Sequence, residues 1–201
     1  MTSAEGDEHA PIRVVLADAN VLYSRVLRDY LLYAAAQGVL DIRWSAAILA
    51  EVVEHLAENV AGFDVAAGAR LVAAMNGAFP SAEAEPDGDA EAAVSDLPVP
   101  DEDDRHVLAA AVAVDADVLC TDNLRDFPDD AMVEVGIRLM SADALLTLLV
   151  TEFPDGMLAA HRLAVSRLSN ATDDSTLAAL RRAGASNTAA HMAGLLHVAT
   201  G

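Results

Sequence analysis

The sequence predicts an α/β sandwich with a mainly parallel sheet, followed by an all-helical stretch. Three observations predict it. Short apolar, β-rich runs alternate with helix-period segments through residues 1–150; two of those runs end at or beside an aspartate; and residues 151–201 carry helical periodicity without a strand signal.

Residues 12–17 (IRVVLA) form the first such run, ending at Asp18 as a buried central strand would. Residues 20–37 then place Leu22, Val26, Tyr30 and Tyr33 at helical spacing, and Gly38 stops the helix. A second helix from Ser45 puts Ile48, Leu49, Val52, Val53, Leu56 and Val60 on one face, and a third spans 64–79. Residues 80–100, rich in Pro, Gly, Ala and acid, read as a loop with one short strand near 92–94. Residues 104–114 read as helix, 117–121 (DVLCT) and 137–140 as strands, and 142–151 as a helix capped by Ser141. Beyond Pro154, helical patterns at 156–169, 175–182 and 188–198 are separated by turn signals at 170–174 and 184–187. No internal repeat is visible.

Composition narrows the function classes. Of 201 residues, 54% are hydrophobic and 22% charged, which is a foldable mixture rather than a disordered one. Cys120 is the single cysteine, so an internal disulfide framework and a four-cysteine zinc site are both excluded, and a reducing cytoplasm is the expected setting. Residues 1–11 are polar and acidic, without the basic start and apolar core of an export signal. No run approaches the roughly 20 apolar residues of a membrane span.

The formal net charge is −20, and all twelve basic residues are arginine. A chain this negative repels a phosphate backbone, so nucleic-acid binding through a broad basic face is disfavoured and nucleic-acid chemistry must lean on cations. The charge is uneven. Residues 1–150 hold 28 acids and 8 arginines, whereas residues 151–201 hold four of each, which places a boundary near 150: a first unit over 12–150 and a helical unit over 151–201.

Several acids occupy positions where chemistry concentrates. Ligands gather at the carboxyl ends of parallel strands, and Asp18 and Asp122 each follow a strand there. Two carboxylates at adjacent strand ends repel unless a cation sits between them, and an oxygen-only site suits Mg²⁺ or Mn²⁺. An aspartate after a strand also serves as a helix cap, so Asp18 alone decides nothing. Asp104 precedes Val107, Leu108 and Ala111 by three, four and seven positions and so shares their inward face, although Asp103 or Asp104 can equally cap that helix. Glu51, Glu54 and Glu58 all lie away from the apolar centre of their helix, and periodicity does not choose among them. His106, one turn into its helix, approaches the same region and reads as a structural histidine.

These places in this order, VVLADANVLYS, WSAAILAEVVEHL, PDEDDRHVLAAAV and ADVLCTDNLRDFP, closing with IRLMSADALLTLL, make the chain resemble the PIN-domain family and its VapC-like toxins over residues 12–150. The resemblance implies a three-layer α/β/α sandwich with an acidic pocket for one or two Mg²⁺ or Mn²⁺ ions, and hydrolysis of RNA phosphodiesters without a covalent protein intermediate. By motif, Asp18, Glu51, Asp104 and Asp122 become the catalytic acids and metal ligands, with Asp126 a second choice for the last ligand. The last acid of many relatives falls where this chain has Asn123; Asn20 and Asn123 become neutral contacts. Residues 151–201 resemble the helical extension of some longer VapC-like proteins, where Arg162, Arg167, Arg181, Arg182, His161 and His191 either guide RNA or form a packing surface. The resemblance further implies a small antitoxin whose inserted peptide supplies an arginine to the pocket, and a homodimer. Two rivals remain: an inert PIN-like binding module, and a phosphatase of the haloacid dehalogenase type. The latter needs a second Asp two residues after the first and a later lysine, where this chain has Asn20 and no lysine.

Overall fold

The structure is a computed structural model describing residues 12–200; the opening segment 1–11, read above as no export signal, lies outside the described residues. Strands β1 (Val14–Ala17), β2 (Asp41–Ser45), β3 (Glu83–Ala84), β4 (Val118–Cys120) and β5 (Arg138–Met140) form one parallel sheet in the order β3-β2-β1-β4-β5. Helices cover both faces, so the central strands are apolar without alternation: Val15, Leu16, Ala17, Val118, Leu119 and Cys120 are fully buried. Ala17 pairs in register with Cys120. The next residues along, Asp18 and Thr121, are therefore neighbours at the carboxyl edge, where the Asp18 amide donates to the Cys120 carbonyl at 3.0 Å. This edge is also the switch point, since the chain leaves β1 toward β2 on one side and returns to β4 on the other.

The expected helix over 20–37 is broken into α1 (Ala19–Tyr23) and α2 (Arg25–Ala36) by extended backbone at Ser24. Strand β2 was not anticipated. Its sequence DIRWS buries Ile42 and Trp44, and the Trp44 indole donates to Asn76 Oδ1 at 2.9 Å. Helix α3 (Ala46–Asn59) follows at once, its N-terminus satisfied by the Ser45 hydroxyl, and α4 (Val65–Ala78) is capped by Asp64.

The strand expected near 92–94 is instead helix α5 (Gly88–Val94), because Asp87 accepts from the Asp89 and Ala90 amides and Ala90 and Val94 fall on one buried face. Helix α6 (Arg105–Ala113) follows a 3-10 turn over Glu102–Asp104. Helix α7 (Asp129–Val135) was also unanticipated, although it opens on Pro128 with two aspartates and closes on Gly136 at φ +70. Helix α8 (Ala142–Glu152) is capped by Ser141 as expected.

Helices α9 (Pro154–Ser166), α10 (Asp173–Arg182) and α11 (Ser186–Thr200) form the expected strand-free extension, packing on α2 and α8. Met157, Ala164, Leu177, Leu180, Ala189 and Met192 join the same buried cluster as β1. Two polar contacts fix this docking. The Tyr30 hydroxyl of α2 hydrogen-bonds His161 Nδ1 of α9, whose Nε2 meets Asp173 Oδ1 of α10 at 3.1 Å. Burial lowers the His161 pKa, which favours a neutral ring that accepts from tyrosine and donates to aspartate. Asp143 of α8 accepts from the Thr188 amide and hydroxyl, both at 2.8 Å, and from Asn187. Among the described residues no helix is long and apolar enough to cross a membrane.

Candidate active site

Asp18 sits at the end of β1, buried to 5% exposure. Its Oδ1 accepts from the Ala19 amide at 2.6 Å, capping α1, while Oδ2 accepts from Thr121 Oγ1 and Asn20 Nδ2, each at 2.7 Å. The cap and the site are thus one residue. Asn20 also donates to Thr121 Oγ1 at 2.8 Å and accepts from the Asp122 amide at 2.9 Å, so both ends of its amide clamp the two strand termini together. Asn20, expected as a neutral contact to substrate or metal-bound water, hydrogen-bonds Asp18, Thr121 and the Asp122 amide. Thr121, which sequence reasoning did not select, completes the clamp. The only signal for it is the β1–β4 register, which the sequence alone does not display.

Glu51 is half-buried on α3, whereas Glu54 and Glu58 are exposed, so the fold chooses among three acids that periodicity left equivalent. Glu51 Oε1 lies 2.6 Å from His106 Nε2 across the α3–α6 gap. His106 Nδ1 is buried and has no hydrogen-bond partner among the described residues. The histidine read as structural therefore touches a proposed ligand directly.

Asp104 is half-buried at the start of α6 and makes no capping hydrogen bond; Asp101 does that work, accepting from the Asp103 amide at 3.0 Å. Asp104 is consequently not consumed by its own helix. Its pKa is pushed up to about 6, first by burial and then by the charges of Asp126, Asp18, Asp101 and Glu51. Burial also raises Asp18, against the hydrogen bonds from Thr121 and Ala19 and the nearby His106, and raises Glu51, to which Asp18 adds repulsion. Three carboxyls from three elements thus sense one another at the sheet's switch point.

The last position has two candidates. Asp122 is exposed, and its Oδ1 accepts from the Ala142 amide at 3.0 Å, which turns it toward the N-terminus of α8. Asp126, carried on the 3-10 turn Leu124–Asp126 and hydrogen-bonded by Asn123 Nδ2, is half-buried and is the strongest charge acting on Asp104. Of the two acids the sequence offers for this position, Asp122 first and Asp126 second, Asp126 is the more buried and is hydrogen-bonded by Asn123.

Among the described residues, no three His, Cys, Asp or Glu side chains stand in a ready-made cation cage. The donor chemistry nevertheless suits a hard divalent ion, since Asp18, Glu51, Asp104 and Asp126 offer only oxygen and their repulsion is what such an ion would relieve.

A PIN domain family model matches residues 13–125, more than half of the chain. A protein of Mycobacterium tuberculosis (strain ATCC 25618 / H37Rv) named "Putative ribonuclease VapC50" is 51% identical over 43 residues, covering 21% of this chain and 25% of that protein. The match thus spans only a quarter of that relative. No solved structure matches the chain. With the five-stranded parallel sheet and acids gathered at its switch point, the family match assigns this chain to the PIN-domain family, with VapC-like character.

Proposed function

We propose that the protein is an endoribonuclease that hydrolyses RNA phosphodiesters with a divalent ion, Mg²⁺ or Mn²⁺, held by Asp18, Glu51, Asp104 and Asp126. The observations that carry this reading are the PIN domain match over residues 13–125 and the placement of buried Asp18 at the carboxyl end of β1, with Glu51 of α3 joined to α6 through His106 at 2.6 Å; the upward pKa shifts of Asp18, Glu51 and Asp104 accord with it. When bound, such an ion supplies Lewis-acid stabilisation of charge developing on the phosphate and makes water a better nucleophile. The chain's own residues do the positioning. Thr121 and Asn20 hold the Asp18 carboxylate fixed, Asn123 orients Asp126, and His106 holds Glu51. With Cys120 fully buried and its thiol pKa raised by burial, a cysteine nucleophile finds no support.

In this reading residues 12–150 are the nuclease module and 151–201 an appendage. The protein acts in the cytoplasm as the toxin of a toxin-antitoxin pair, neutralised by a small antitoxin protein, and it forms a homodimer. The name of the mycobacterial relative supports the ribonuclease part of this proposal.

The test is cleavage of single-stranded RNA with Mg²⁺ or Mn²⁺ by the parent and by Asp104→Asn, which removes one charge without breaking a cap. The expected loss is a hundredfold or more, as about 3 kcal/mol of transition-state stabilisation disappears. Equal cleavage by both proteins would remove Asp104 from the mechanism. Slowed growth on expression, relieved by co-expression of a small protein encoded beside the gene, tests the toxin role.

A further inference from the structure

A nuclease with net charge −20 needs a place where the phosphates of its substrate are tolerated, and arginines that are not tied into the fold are the residues to supply it. Arg28 donates to the Leu22 carbonyl, Arg43 to the Ser81 carbonyl and Asp41, and Arg105 to the Val94 and Leu97 carbonyls, so these three are committed to the fold. Two arginines of different elements instead line one cleft. It has a volume of about 550 Å³ and lies on the seam between α2 and the α9–α10 pair, with Arg25 on one wall and Arg182 on the other. Ser24, Asn170 and Ser175 add neutral polar groups, and Asp29 adds one carboxylate on the α2 wall, leaving the two arginines in excess over it.

The Arg25 side chain is 68% exposed, and among the described residues its carboxylate neighbour is Asp29, 3.8 Å away at the next turn of α2. A contact that long and that exposed is weak, and it leaves the guanidinium available. The cleft opens at Ser24, directly after α1, whose five residues extend about 8 Å from the Asp18 cap. A strand whose scissile phosphate sits at the acids can therefore reach the cleft with its neighbouring phosphates.

We propose that this seam is the phosphate-tracking part of the substrate site, in which Arg25 from the core and Arg182 from the extension together hold the backbone of a single-stranded RNA. The inference rests on the ribonuclease reading, and it gives the helical extension a substrate-binding role. Neither half of the chain makes the groove alone.

Binding and cleavage are measured separately so that the two readings fail separately. Anisotropy of a fluorescein-labelled single-stranded RNA, without divalent ions and across a salt series, reads the seam; cleavage of the same RNA with Mn²⁺ reads the acids. Arg25→Ala/Arg182→Ala is expected to weaken binding about tenfold or more and to flatten the logarithmic salt slope by about 1.4, that is about 0.7 for each of two lost phosphate contacts. In cleavage it raises KM and leaves kcat near the parent value. Arg25→Lys/Arg182→Lys retains most of the slope, because a point charge suffices for a phosphate. Arg13→Ala/Arg70→Ala, which removes the same two charges from exposed positions outside the cleft, is the control for net charge. Absence of RNA binding by the parent, a seam double variant that binds like the parent, or an equal loss in Arg13→Ala/Arg70→Ala would each overturn the seam. Parent binding without cleavage would instead overturn the ribonuclease reading.

Discussion

Asp104 shows how much a single residue's surroundings decide. Its carboxyl has an ordinary value of 3.8 and is held at about 6 in the fold. Between those values the folded protein binds more protons than the unfolded chain, so the ion-free protein loses stability as pH rises through that window, and the penalty is complete above about 6. Asp104→Asn cannot ionise and escapes it. Its stability advantage over the parent is expected to be near zero at pH 4 and to grow to about 1 kcal/mol at pH 7, a figure reduced for the group's solvent exposure. Urea unfolding at both pH values measures this; an advantage independent of pH would show that the carboxylates do not repel as described. The sequence displayed Asp104 because it stands three and four positions before Val107 and Leu108. It displayed Asp18 only as a strand-end acid, and it hid Thr121, because partnership across β1 and β4 depends on register. It also could not order Asp122 and Asp126, whose difference is made by a three-residue 3-10 turn that no periodicity announces.

Among the elements, those with strong local signals were legible. Helices α3 and α8 begin at a serine that caps them, and β1 and β4 are continuous apolar runs. Strand β2 was missed because its alternation lasts five residues and ends on the same Ser45 that caps the next helix, so its pattern merges with that start. Helices α5 and α7 were missed although their caps were visible, since composition around them suggested loop. The extension was recognised as helical, but its docking was not, because that depends on Asp143 meeting Thr188 and Asn187 across 45 residues of chain. Burial alone would raise the Asp143 pKa, yet the hydrogen bonds from Thr188 and Asn187 together hold it below the usual value. A depressed carboxylate stabilises the fold above its unfolded value and loses that contribution as pH falls through its folded value. Asp143→Ala is therefore expected to cost about 1–2 kcal/mol at pH 7, concentrated in faster amide exchange along α11, and to cost progressively less as acid protonates the carboxylate. Unchanged exchange in α11 would mean that apolar packing alone holds the extension.

For the whole molecule, charge and topology act against each other. The apolar cluster running from β1 to α11 draws the chain together, while 32 acids against 12 arginines push its surface apart. Two kinds of cation should relieve this differently. Sodium chloride screens the diffuse repulsion and is expected to raise Tm gradually, in the parent and in Asp104→Asn alike. A divalent ion that binds the folded acids but not the unfolded chain adds a saturable term, about 2.7 kcal/mol at a hundred times its Kd. For a chain of this length that corresponds to roughly 5–10 °C. Millimolar Mn²⁺ at constant ionic strength is thus expected to raise the parent's Tm by that amount with a saturating dependence, and Asp104→Asn to lose most of the rise while keeping its response to sodium chloride. If both proteins gained equally from Mn²⁺, the ion would be acting as diffuse counter-charge, and the acids at the switch point would form a repulsive cluster without a bound cation.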